Sequence, residues 1–146
     1  MADNECVEIL SNQLSEIARS SELVDAFAER NGVPMKTGYE INVALDELLT
    51  NTISYGYSDQ GEHKIELRMS LVNGVWTIVL SDSAKAFNPL DKADPDVNVP
   101  LEERQIGGLG IYFVRKLMDS VEYRHEDGRN IITLKKHVPP AAGAQK

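Results

Sequence analysis

The stretch 40–57, EINVALDELLTNTISYGY, constrains the fold most, because its hydrophobic residues repeat with the spacing of one face of an α-helix. Ile41, Leu45 and Leu48 are separated by four and three positions, and Ala44 widens the apolar stripe. A helix with such a stripe has to bury it against other elements of the fold. The stretch therefore predicts a central amphipathic helix around which the other elements pack.

A polar edge runs beside this apolar stripe and includes Glu40, Glu47, Asn51 and Ser54. Glu47 and Asn51 are four positions apart, so both side chains lie on the same face of the helix. A carboxylate at such a position can accept a proton, and an amide oxygen is a suitable ligand for Mg²⁺. Because these residue types are also common on solvated helix edges, the stretch alone leaves a surface role and a chemical role open.

Composition limits the class of protein. A chain of 146 residues is long enough for one domain with a hydrophobic core. The formal net charge of −8 argues against binding to a nucleic-acid backbone. Cys6 is the single cysteine, which excludes an intramolecular disulfide and fits a reducing compartment. Without a long apolar run or a secretion signal, we expect a soluble cytoplasmic protein that makes no contact with a membrane.

The order of the predicted elements is strand, helix, helix, strand, strand, loop, helix, strand, strand. The predicted helices cover 11–30, 34–56 and 111–119, and the predicted strands cover 6–10, 63–71, 75–81, 121–125 and 130–137. This order predicts a two-layer α/β sandwich, with helices on one face of a mixed, mostly antiparallel sheet. We expect one domain over residues 1–138 and a disordered tail over 139–146.

Two further segments contain groups that could bind a ligand. Asp82 ends a predicted strand on the apolar side, where a ligand could reach a carboxylate at the rim of the core. The run Gly107-Gly108-Leu109-Gly110 precedes a predicted helix, where backbone N–H groups can bind a phosphate. An isolated Asp at this position is often a turn residue, and glycines also mark ordinary loops. The order of these segments, with the long loop 83–105 between them, is more specific than any one of them.

These segments resemble the GHKL ATPase superfamily and, within it, the bacterial anti-sigma-factor serine/threonine kinases. The resemblance covers about residues 6–137. ELLTN resembles the N box, DSAKAFNPL the first glycine box, GGLGIYFVRKLMD the second glycine box, and EYRHEDGRNIITL the closing hairpin. It implies the Bergerat fold, with ATP and Mg²⁺ as ligands.

The resemblance also implies roles for individual residues. Glu47 corresponds to the general base, Asn51 to the ligand of Mg²⁺, and Asp82 to the acceptor of the adenine amino group. The implied phosphate cradle is formed by Gly107, Gly108, Leu109 and Gly110. The implied lid covers residues 87–106, which begin at Phe87. Ala84 departs from the family pattern, which has glycine there, and its methyl group could crowd adenine or strain the backbone. Arg104 could reach a terminal phosphate or be a solvated charge of the lid.

The function that the resemblance implies is an ATP-dependent protein serine/threonine kinase that acts as an anti-sigma regulatory factor. Such a kinase phosphorylates a STAS-type antagonist, binds a sigma factor and forms a homodimer, without direct contact to nucleic acid. One alternative is a non-catalytic, nucleotide-dependent module that sequesters a regulatory partner. A detached histidine-kinase domain is disfavoured, because we see no helical hairpin with a phosphoacceptor histidine before the domain.

Overall fold

A computed structural model of the chain describes residues 4–59, 61–91 and 108–139. The elements are β1 (Glu5–Ser11), α1 (Glu16–Arg30), α2 (Met35–Tyr55), β2 (Lys64–Val72), β3 (Val75–Asp82), a short 3-10 helix (Pro89–Asp91), α3 (Gly108–Leu117), β4 (Ser120–Glu126) and β5 (Arg129–His137). The predicted order of helices and strands is thus confirmed.

The five described strands form one sheet in the order β1-β2-β3-β5-β4. Every neighbouring pair is antiparallel, so the mixed sheet that we expected is fully antiparallel over the described residues. The reason lies in the connections. The helix pair α1 and α2 returns the chain in the direction that makes β2 antiparallel to β1, and β5 lies between β3 and β4, which run in the same direction.

Both hairpins have the turns that their sequences predict. Asn73 and Gly74 have φ angles of 52° and 78°, and Asp127 and Gly128 have φ angles of 53° and 76°. Two consecutive residues with positive φ are typical of the tight turns whose twist matches that of paired strands. These turns fix the register of β2 against β3 and of β4 against β5.

The helices pack on one face of the sheet. Phe27 of α1 stacks on Trp76 of β3 with ring centroids 5.3 Å apart, and both side chains are fully buried. Ile41 and Leu45 of α2 lie in the same core, which confirms the apolar stripe of the central helix. Residues of the opposite sheet face, such as Val79, are only partly buried. The two-layer α/β sandwich is therefore confirmed.

Two helices have boundaries that differ from the prediction by two residues or more. α1 begins at Glu16 rather than at residue 11, because β1 continues to Ser11, whose backbone N–H donates to Glu16 Oε1 at 2.9 Å. α3 begins at Gly108, three residues earlier than expected, and ends at Leu117. Asp119 lies beyond this end because its backbone N–H pairs with the carbonyl oxygen of Lys135 in the sheet.

Parts of the predicted lid and tail, and the first glycine of the predicted phosphate cradle, lie outside the described residues. They include 92–107, with Arg104 and Gly107, and 140–146. Within the part of the chain that the structure describes, no helix has the length and apolar character needed to cross a membrane.

Candidate active site

Glu47 and Asn51 lie together on the edge of α2, as their spacing predicts. Asn51 Nδ2 donates a hydrogen bond to Glu47 Oε2 over 2.9 Å. Because a carboxylate can only accept, the amide has to present its nitrogen to Glu47, and Asn51 Oδ1 has no hydrogen-bond donor among the described residues. The contact therefore orients the carboxylate and exposes the amide oxygen as a possible metal ligand.

Glu47 also borders a cavity of 340 Å³ between α2 and α3. The other lining residues are Val43, Asp46 and Thr50 of α2 and Phe113 of α3. Phe113 is three positions after Gly110, which is about one helical turn. The first turn of α3, which contains Gly108 and Gly110, therefore lies about one helical turn from the cavity that Glu47 borders.

Asp82 is buried at the end of β3, with 5% of its surface exposed. Its Oδ1 accepts hydrogen bonds from the backbone N–H of Ala84 and from Asn130 Nδ2, each at 3.0 Å. Within the described residues, no donor reaches Oδ2 of this carboxylate. One oxygen is therefore committed to the fold, and the other retains its capacity to accept a hydrogen bond from a ligand.

Asn130, on β5, is a site residue that the sequence analysis missed. Its Nδ2 contacts Asp82 Oδ1 at 3.0 Å and the carbonyl oxygens of Ala84 and Lys85 at 3.1 Å each. Its Oδ1 accepts from the Phe87 backbone N–H at 3.3 Å and from the Tyr123 hydroxyl. This buried amide thus fixes the segment 84–87 and the Asp82 carboxylate to the sheet.

A sequence signal for Asn130 existed. The residue shares the two-residue periodicity of Ile132 and Leu134, so it is a polar residue on the apolar face of its strand. A buried amide needs partners for its donor and acceptor groups. The pattern alone could have indicated a structural or binding role, although it could not identify the partners.

Gly56 joins the end of α2 to the segment after Asp82. The Lys85 backbone N–H donates to the Gly56 carbonyl oxygen at 3.0 Å. A Cβ atom at Gly56 would lie 2.6 Å from the Thr52 carbonyl oxygen and 2.8 Å from Ala84 Cβ. Glycine therefore permits the close approach that connects the part of the site on α2 to the part around Asp82.

Ala84 occupies a position where the family pattern has glycine, and the structure shows how its methyl group is accommodated. The residue is buried and contacts Gly56 closely, and its φ angle is not positive. The backbone strain that alanine could have caused is therefore absent at this described residue.

We predict that Ala84→Gly lowers the free energy of unfolding by about 0.5–1 kcal/mol, because glycine adds chain entropy to the unfolded state. ATP affinity should remain within about twofold, since the methyl group packs against Gly56. Urea unfolding and calorimetry on the same variant measure both quantities. Clearly tighter ATP binding would instead show that the methyl group crowds the nucleotide.

Tyr57 follows Gly56 and lies near Asp82. Its ring stacks on His63 with centroids 4.2 Å apart. Its hydroxyl is buried and makes no hydrogen bond of ordinary geometry within the described residues. Burial, and then the nearby Asp82 carboxylate, raise the pKa of Tyr57 to about 12. The folded protein therefore holds the phenolic proton more tightly than the unfolded chain does.

The sign of the resulting pH dependence follows from this raised pKa. The contribution of the protonated Tyr57 to the free energy of unfolding is fully present below the unfolded pKa of 10.0. It is lost as the pH rises towards about 12. We predict that Tyr57→Phe has nearly the wild-type urea midpoint at pH 7 and loses less stability than the wild type above pH 10. If both proteins lose stability in parallel across the alkaline range, Tyr57 does not carry this effect.

A cation at this site would need oxygen ligands beyond those of the protein. Within the described residues, no three His, Cys, Asp or Glu side chains are grouped to hold a metal. The free Oδ1 of Asn51 fits Mg²⁺, which commonly takes one or two protein oxygens and completes its shell with phosphates and water. The site therefore suits a cation that arrives with a phosphate ligand.

The remaining predicted ligands are only partly described. Gly108, Leu109 and Gly110 form the first turn of α3, where backbone N–H groups lack partners within the helix. Phe87 is 44% exposed and is held through its backbone by Asn130. Arg104 and Gly107 lie outside the described residues. The structure thus brings together a pair on α2 and a cluster around Asp82, linked through Gly56.

Comparisons with known proteins identify the family of the chain. Residues 10–136 match the sequence profile of the histidine kinase-like ATPase domain. The chain is 26% identical over 102 residues to the serine/threonine-protein kinase BtrW of Bordetella bronchiseptica, covering 70% of this chain and 72% of that protein. It is 29% identical over 113 residues to the serine-protein kinase RsbW of Bacillus mycoides, covering 74% of this chain and 69% of that protein.

Solved structures show the same fold. The RsbU and RsbW domains of Rv1364c from Mycobacterium tuberculosis match with a TM-score of 0.66 and 14% identity over 93% of this chain, which spans 33% of that structure. The histidine kinase domain of Erythrobacter litoralis EL346 matches with a TM-score of 0.56 and 16% identity, covering 86% of this chain and 60% of that one. The resemblance inferred from the four sequence segments is confirmed.

Proposed function

The chain belongs to the histidine kinase-like ATPase domain family, and on this premise we propose that it is an ATP-dependent protein serine/threonine kinase. The observation that carries the proposal is the pair on α2. Glu47 lines a cavity and is oriented by Asn51, whose amide oxygen accepts no hydrogen bond within the part of the chain that the structure describes. Phosphoryl transfer needs a general base and a ligand for the cation that accompanies the phosphates, and this helix carries a candidate for each.

In the proposed reaction, Glu47 takes the proton from a serine or threonine hydroxyl of the substrate protein. The hydroxyl oxygen forms a bond to the γ-phosphorus of ATP, and the bond to the bridging oxygen breaks and releases ADP. Asn51 Nδ2 donates to Glu47 Oε2 at 2.9 Å, so Glu47 Oε1 accepts no hydrogen bond from this amide. The contribution of the protein is mainly to position the reacting groups.

Nucleotide binding is assigned to the remaining residues. Asp82 Oδ2 accepts a hydrogen bond from the adenine amino group, and Asn130 keeps the carboxylate in place. Backbone N–H groups around Gly108, Leu109 and Gly110 bind phosphate, with Gly107 and Arg104 adding to this cradle. Asn51 Oδ1 would hold Mg²⁺, which would neutralise charge on the phosphates when bound. Ala84 and Phe87 border the adenine end of the site.

We also propose the regulatory context of this kinase. Its substrate is a STAS-type antagonist, its second partner is a sigma factor or a similar regulator, and the active form is a cytoplasmic homodimer. Support comes from the similarity to kinases named RsbW and BtrW. The net charge of −8 favours protein partners with basic surfaces over nucleic acid.

The test is phosphoryl transfer. The chain is incubated with Mg²⁺, ATP labelled in its γ-phosphate, and purified STAS-domain proteins encoded near its gene. We expect label on a serine or threonine of one of them, located by mass spectrometry. Binding of ATP without transfer to any of these proteins would contradict the kinase and favour the nucleotide-dependent binding module.

A further inference from the structure

A groove of 790 Å³ is lined by residues of α1, of α2 and of the segment before α1. Its apolar lining includes Leu14, Met35 and Tyr39, whose side chains are 58%, 90% and 68% exposed. Large apolar side chains that are exposed next to one another typically mark a surface that binds another molecule. We call this surface, formed by Leu14, Ile17, Met35, Tyr39 and Val43 with the polar residues described below, the helical groove.

Charged residues of the helical groove all have one sign. Asp25 of α1 and Asp46 of α2 line it, and no Lys or Arg is among the described lining residues. Asp25 is held in place by Asn42 Nδ2, which donates to it at 3.0 Å. A second copy of this chain would bring the same acids against each other, which is unfavourable. The groove therefore favours a partner that carries Lys or Arg beside its apolar residues.

The helical groove is adjacent to the cavity at Glu47. Val43 and Asp46 line both spaces, so they form the boundary between them. Tyr39 and Glu47 are eight positions apart on α2, which corresponds to about 12 Å along the helix axis. A polypeptide bound on Tyr39 can therefore place a residue some eight helical positions away at the candidate base.

We propose that the helical groove is the docking site for the phosphoacceptor protein, and that it binds an amphipathic helix flanked by Lys or Arg. The apolar stripe of that helix packs on Leu14, Met35 and Tyr39, and its cations face Asp25 and Asp46. Helices that present an apolar stripe to a groove are a recurrent mode of recognition. The placement of the acceptor hydroxyl at Glu47 rests on the proposed kinase function, whereas the docking of the basic helix does not.

The first test uses two synthetic helical peptides with the same apolar stripe and one serine near an end. One is flanked by lysines and the other by glutamates. We expect the lysine peptide to bind the full chain about tenfold more tightly or better, and to protect 14–25 and 35–46 from hydrogen exchange. Equal affinity of the two peptides, or protection elsewhere, would overturn the proposal.

Variants then locate the contact. Tyr39→Ala should weaken binding of the lysine peptide about 10–30-fold, as expected for an exposed aromatic anchor. Asp25→Lys should remove the preference for lysine over glutamate. Glu29→Lys is the matched control, because it makes the same charge change at an exposed position of α1 outside the groove, and it should bind like the wild type. Unchanged Mg-ADP affinity in all three confirms that the site is intact.

Further outcomes separate docking from catalysis. Asp25-dependent peptide binding, together with no transfer of phosphate to any of the STAS-domain proteins, would contradict the kinase and retain the docking site. Phosphorylation with the same KM in the wild type, Tyr39→Ala and Asp25→Lys would retain the kinase and overturn the docking site. Loss of dimer in sedimentation of Tyr39→Ala would assign the groove to a second copy and would also overturn the proposal.

Discussion

We expect Glu47→Gln to slow phosphoryl transfer by about 10²–10⁴-fold, which is the usual range for the loss of a general base. Glutamine has nearly the same shape and can still accept the hydrogen bond that Asn51 Nδ2 makes at 2.9 Å. It cannot take the proton of the substrate hydroxyl. The affinity for Mg-ADP should therefore stay within a few-fold of the wild-type value, while kcat falls. Single-turnover kinetics and calorimetry measure the two effects separately.

The control for this variant is Glu40→Gln. Glu40 lies on the same polar edge of α2, two turns earlier, and pairs with Lys136 at 3.3 Å rather than with a residue of the cavity. Removing its charge should leave the transfer rate unchanged. A normal rate in Glu47→Gln would mean that Glu47 is an ordinary surface residue. Equal losses in both variants would point to a general effect of charge on α2 instead.

Asp82→Asn should change the ratio of ATP to GTP affinity by about 10²-fold, in favour of GTP. The wild-type carboxylate offers Oδ2 to the adenine amino group while Ala84 and Asn130 hold Oδ1. Asparagine can keep its Oδ1 towards these donors, but it then directs an NH₂ group at the ligand. With adenine, the new NH₂ group and the adenine amino group are both donors and cannot hydrogen-bond to each other. With guanine, the carbonyl oxygen accepts a hydrogen bond from the new NH₂ group.

Calorimetry with ATP and with GTP measures this ratio, and urea unfolding shows whether the variant is folded. Asp82→Ala is the companion variant, because it removes the acceptor without adding a donor. It should weaken ATP binding without improving GTP binding. If the ratio stays at the wild-type value in both variants, Asp82 serves only to hold the segment 84–87, and the base is recognised elsewhere.

Much of this site is visible in the sequence because the information is local. The spacing of Glu47 and Asn51 on a helix determines that they share a face, and their hydrogen bond follows from it. Likewise, the turns Asn73-Gly74 and Asp127-Gly128 determine the two hairpins, because few residues other than Asn, Asp and Gly adopt positive φ.

The role of Asn130 could not be predicted in the same way. It lies directly opposite Asp82 in the pairing of β3 with β5, and the two residues are 48 positions apart in the chain. Only the register of two strands that are not adjacent in sequence creates this contact. The start of α3 was also missed, because glycine has a low helix propensity. In the folded chain, Gly108 and Gly110 are nonetheless helical in an element that packs on α2.

The most direct measurement of the central claim is a crystal structure of the chain with Mg²⁺ and a non-hydrolysable ATP analogue. The claim is that α2, the segment after Asp82 and the start of α3 form one nucleotide site aimed at Glu47. We predict Asn51 Oδ1 about 2.1 Å from Mg²⁺, Asp82 Oδ2 within hydrogen-bonding distance of the adenine amino group, and the γ-phosphate beside the Glu47 cavity. A nucleotide bound elsewhere, or one bound here without contact to Asn51 and Asp82, would contradict it.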